Sequence, residues 1–134
     1  MRAPEIGDVY IYHFCAGVML GGILREGLTK GRCPMVTKDK VGYVSGCQWL
    51  TAEGDRQKQS WATQIDIKYD RTEYRLKVKI PFKARHRLIR AADYIKRFPI
   101  EMRHVVLDWK GHEDWYVFEG KIPADWIVQV EKVA

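Results

Sequence analysis

The chain has 134 residues, 46% of them hydrophobic and 30% charged, with a formal charge of +6 at neutral pH. This is the composition of one globular domain, residues 1–134, able to bury a core without metals or disulfides, and it excludes collagen-like, low-complexity and disordered classes. The longest apolar run, residues 18–24, is interrupted by Gly21 and Gly22 and falls short of the roughly 20 residues that cross a bilayer.

The N-terminal residues lack the basic-then-apolar pattern of a secretory signal, so a cytoplasmic protein without a membrane partner is expected. Cys15, Cys33 and Cys47 are odd in number and widely spaced, which suits free thiols in a reducing compartment. His13, His86, His104 and His112 are scattered, with no CxxC pair, so no metal site is expected.

In chain order, residues 8–14 are aromatic and β-branched and predict a first strand after the Pro4/Gly7 turn. Met19, Leu20, Ile23 and Leu24 recur at helical spacing, and Gly27 is placed to end that helix. Residues 29–46 carry Gly31, Pro34, Gly42 and Gly46 among basic residues without a period and predict a long loop or lid. Residues 47–51 predict a short strand, 52–59 an exposed turn or helical segment, and 64–69 another strand.

The clearest strand is residues 74–80, where Tyr74, Leu76, Val78 and Ile80 share one face. After Pro81, residues 84–97 predict a helix with Leu88, Ala92 and Ile95 inward, stopped by Phe98-Pro99. Residues 104–107, 115–118 and 126–130 predict three more strands, with Ile122-Pro123 turning the chain. Helices inserted into a mainly antiparallel sheet make an α+β fold.

Positive charge concentrates in residues 83–103, with seven Lys/Arg against two Asp/Glu. Arg85, Arg87 and Arg90 in this stretch are candidate phosphate contacts, or else a solvated surface that keeps the chain soluble. Phosphate-loop, GxGxxG, HExxH and GxSxG patterns are absent, which removes several enzyme classes.

Five pieces remain: Tyr12-His13-Phe14, the helix end Ile23-Leu24-Arg25-Glu26-Gly27-Leu28, Gln48-Trp49-Leu50-Thr51, Arg75 at the start of a strand, and residues 115–127 with their Ile-Pro turn. In this order, over almost the whole chain, they resemble small ADP-ribosyltransferase-like proteins, the superfamily of RNA 2′-phosphotransferases and of NAD-dependent toxins that modify DNA or protein. The resemblance implies a split, mainly antiparallel sheet with a few short helices around a cleft that binds NAD. It implies that His13 orients the cofactor, that Trp49 and Thr51 line the cleft and bond a ribose hydroxyl, and that Arg75 meets the pyrophosphate. It also implies a catalytic carboxylate near the strand before the Ile-Pro turn, where Glu113, Asp114 and Glu119 stand and Glu113 is favoured by type and position.

Two departures bear on activity. Cys15 replaces a residue that is often Thr or Ser in the family, and the Ser-Thr-Ser and Glu-x-Glu signatures of protein-modifying toxins are missing. The implied function is ADP-ribosyl transfer from NAD to a nucleic-acid or host-protein acceptor, as in a toxin or a phage-encoded inhibitor. The alternative is an inactive member of the fold whose basic face engages nucleic acid or an acidic protein. All four cofactor candidates are expected to converge on one concave site.

Overall fold

A computed structural model describes residues 7–36, 41–59, 71–100, 103–108 and 111–134. It is an α+β fold built on a six-stranded sheet, in which every pairing is antiparallel. The strands are β1 (Val9–Cys15), β4 (Cys47–Thr51), β5 (Tyr74–Ile80), β6 (Leu88–Arg90), β7 (Trp115–Glu119) and β8 (Ile127–Lys132), in spatial order β6-β7-β4-β1-β5-β8. A separate hairpin pairs β2 (Arg32–Val36) with β3 (Val41–Ser45). Helices are short: α1 (Gly17–Glu26), α2 (Ala91–Tyr94) and α3 (His104–Leu107), with several 3-10 turns. The expected strand at 64–69 lies outside the described residues.

Alternation along the strands creates two cores, one on each side of the sheet. Ile11, Leu50, Val78, Ile80 and Phe118 pack on one face with Leu28 and Ile122. Cys47, Trp115 and Val117 pack on the other with Cys33, Ala91, Tyr94, Ile95 and Val106, contributed by the hairpin, α2, α3 and the turn after α2. On β5 the expected face appears: Leu76, Val78 and Ile80 are fully buried, and Arg75, Lys77 and Lys79 take the opposite side.

α1 forms where its periodicity places it, and Gly27 ends it at φ 83°. Only glycine suits that position, because a Cβ there would run into the Ile122 carbonyl. Just beyond, Leu28 and Ile122 exchange backbone hydrogen bonds of 2.9 Å in each direction. At the other end, the hydroxyl missing at Cys15 is made good from a distance: the Gly17 N–H donates to Glu73 Oε1 at 2.7 Å. The helix is nevertheless barely covered, and Val18, Met19 and Leu24 are exposed.

Three segments depart from the sequence reading. Residues 29–46 hold the β2–β3 hairpin, because pairing from Arg32↔Ser45 to Val36↔Val41 orders backbone that shows no period of its own. Residues 84–97 are not one helix: a 3-10 turn Phe82–Arg87 leads into β6, then α2, then a second 3-10 turn Ile95–Arg97. The cause is β7, whose edge takes Leu88↔Phe118, Ile89↔Val117 and Arg90↔Tyr116 out of helical geometry. Residues 104–107 form α3 instead of a strand, and Val106 is buried in the second core.

Candidate functional site

The sheet is not continuous at its centre. β1 pairs with β5 at seven successive positions, yet it pairs with β4 only at Tyr12↔Thr51. His13 bridges the strands where they part: its Nδ1 lies 2.8 Å from the Trp49 carbonyl oxygen. A carbonyl can only accept, so Nδ1 carries the proton and Nε2 keeps its lone pair. Burial holds the His13 pKa below its ordinary value, outweighing this hydrogen bond, which favours the charged form.

The other cofactor candidates are already engaged. Trp49 donates Nε1–H to the Arg32 carbonyl at 2.9 Å and meets Trp115 edge to face, with centroids 6.2 Å apart. Thr51 is buried, and its hydroxyl accepts the Glu53 N–H at 3.1 Å. Arg75 donates to the Gly54 carbonyl at 2.8 Å, pairs with Glu131, and lies 5.2 Å over the Tyr12 ring.

Register decides which of these can meet. His13 pairs with Leu76, on the face of Ile11 and Val78, whereas Arg75 pairs with Phe14 and points to the other face. Thr51 pairs with Tyr12 and so shares the side of Arg75. The structure joins His13 to the Trp49 backbone and sets Thr51 and Arg75 around Tyr12, but it does not bring all four into one concavity. As a set they do not fit a single NAD site.

The carboxylates are separated as well. Glu113 is largely exposed, 3.7 Å from His112 Nδ1. Asp114 sits beside the end of β4, its carbonyl accepting the Ala52 N–H at 2.8 Å. Glu119, at the far end of β7, pairs with Arg97. Of the three, Asp114 lies nearest the parted junction.

A cavity of about 230 Å³ opens where β4 stops at Thr51 and β1 continues. Tyr10, Ile11, Ala52, Arg85, Leu88 and Tyr116 line it. Arg90 pairs with Tyr116 across β6–β7 and is exposed; its side chain has no hydrogen bond or ion pair among the described residues. Arg87 behaves differently: Nε donates to the Glu119 carbonyl at 2.7 Å and the guanidinium covers Phe118 at 4.6 Å, so it braces the fold. A second hollow, a groove of about 470 Å³, is lined by Lys79, Pro81, Phe82, Lys83, Asp125 and Trp126.

The sequence reading points to Arg85, Arg90 and the basic stretch that Lys83 opens, but not to Tyr116 or Phe82. The available signal was the interleaving of Phe82 with Lys79, Lys83 and Arg85 around Pro81. Cys15, Cys33 and Cys47 are buried free thiols. Burial pushes Cys15 up to about 11 and Cys33 to about 12, so neither is a ready nucleophile at neutral pH. Among the described residues no group of three or more His, Cys, Asp or Glu is arranged to hold a metal, and no helix is long and apolar enough to cross a membrane. No family model matches the chain, and neither a curated protein nor a solved structure matches it significantly.

Proposed function

We propose that the chain is a nucleic-acid-binding module that keeps an α+β scaffold and takes phosphate on Arg85 and Arg90 at the parted junction. The observation that carries this reading is the cavity itself, in which Arg85 and Tyr116 stand together with a second open arginine beside them. Guanidinium groups recognise phosphate through paired donors, and aromatic walls suit a base or sugar. At about 230 Å³ the cavity is smaller than the roughly 300–1,000 Å³ of a typical small-ligand site, which favours part of a polymer over a whole dinucleotide.

Fluorescence anisotropy with labelled oligonucleotides across a salt series tests the reading. The double substitution Arg85→Ala/Arg90→Ala is expected to weaken binding and to flatten the salt slope by about 0.7–0.9 per lost phosphate contact. An unchanged slope reduces the patch to a solubility feature.

ADP-ribosyl transfer is the second reading, supported by the position of Asp114 beside the cavity-lining Ala52. Calorimetry with NAD separates the two: NAD binding accompanied by nicotinamide release that Asp114→Asn abolishes would displace the module reading.

A further inference from the structure

We infer that the bound nucleic acid is single-stranded and runs from the junction cavity across Phe82 into the groove beside Trp126. This rests on the module reading and names its ligand class. Both hollows border the same 3-10 turn, Phe82–Arg87: Arg85 faces the cavity, while Phe82 and Lys83 face the groove. The turn thus sets Tyr116 and Arg85 on the cavity side and Phe82, Lys83 and Trp126 on the groove side.

Phe82 is 61% exposed, an unusual position for a phenyl ring with a core so near. Its placement is fixed, because Pro81 precedes it and its N–H donates to Asp8 Oδ1 at 3.0 Å. The Arg85 guanidinium stands 6.0 Å from the ring centroid, at the outer limit of a cation–π contact, so it leaves the ring largely open. Lys79 is neutralised by Asp8 at 3.5 Å, and among the described residues Asp125 is the one acid lining the groove. Lys83 is exposed, with no ion pair among the described residues.

Exposed rings set among cations match a strand whose bases are unpaired. Each base offers a face to stack and each phosphate a charge to neutralise, whereas a duplex hides its base faces inside the helix. Trp126 is partly committed, meeting Phe118 edge to face at 5.8 Å, so Phe82 is the stacking surface that binding depends on most.

The test measures binding of labelled oligo(dT) and oligo(U) of about twelve nucleotides, and of a duplex of equal length, at about 50 mM salt. Either single strand is expected to bind at least about ten-fold tighter than the duplex. Phe82→Ala should lose about ten-fold of single-strand affinity with its salt slope intact, and Phe82→Trp should restore it. Lys83→Ala should instead flatten the slope by about 0.7. Thermal melting of Phe82→Ala confirms that the fold persists. Duplex binding as tight as single-strand binding, or a neutral Phe82→Ala, overturns the single-strand inference while the module reading stands. Absence of binding to every probe sinks both.

Discussion

The two halves of the sheet solve different problems. β7 and β4 are packed on both faces, so β7 reads as the nearly unbroken apolar run Trp115-Tyr-Val-Phe118, with Val117 and Phe118 buried on opposite sides. β1 and β5 bury one face; on the other, apart from the buried Phe14, they and the edge strand β8 display Tyr10, Lys77, Lys79 and Gln129. Burial on two sides favours apolar residues at successive positions, with the buried Gln48 and Thr51 hydrogen-bonded, while burial on one side leaves alternate positions free for charge. The proposed site lies where the two regimes meet. Residues released from packing on β1 and the turn after β5 reach the gap that the doubly covered half cannot fill.

Substitutions in the doubly packed half sharpen this contrast most. Phe118→Ala is expected to cost about 3–5 kcal/mol in urea unfolding, because it removes a fully buried ring and leaves a cavity. A loss below 1 kcal/mol would mean that the first core tolerates collapse and that the contrast is overstated.

A smaller effect is expected at the junction. His13 is held below its ordinary pKa of about 6.5 by burial, so the folded state resists protonation and the unfolded chain binds the proton more readily. The stability tied to neutral His13 is therefore complete above about pH 6.5 and is lost as pH falls through the lower folded-state value. His13→Asn keeps a donor for the Trp49 carbonyl without titrating. Urea midpoints of the two proteins should diverge below about pH 6.5, the wild type falling faster, and parallel curves would show that His13 carries no such linkage.

The smallest effects belong to side chains outside both cores. Lys77→Ala and Glu113→Gln should each change stability by no more than about 0.5 kcal/mol, since neither touches a core. A Glu113→Gln loss well above that figure would mark a structural role that its largely exposed side chain does not suggest.

Local pattern carried much of this architecture. The alternation of residues 74–80 placed Leu76, Val78 and Ile80 inward and Arg75 outward, as β5 shows. Gly27 marked its helix end because a positive φ is a local requirement. The hairpin and β6 were illegible because both owe their form to a partner strand: Leu88-Ile89-Arg90 fits a helical period until β7 offers an edge. The candidate site failed at the same point. That Arg75 opposes Leu76 is written in β5, but that His13 shares the side of Leu76 depends on register with β1, a fact shared between strands more than sixty residues apart. Convergence of His13 with Arg75 was thus beyond local reading, and register sets them on opposite faces.

The chain order of the strands adds a constraint on biosynthesis. Passing from β1 to β4, to β5, to β6 and β7, and finally to β8, the polypeptide changes sides of the junction at each of these steps. Neither half is a contiguous stretch of sequence, so neither can be finished early by a nascent chain. Such long-range pairings delay folding, because loops must close before contacts reward them. The edge of β5 waits for β8, and until residue 132 has left the ribosome that edge stays open to mispairing.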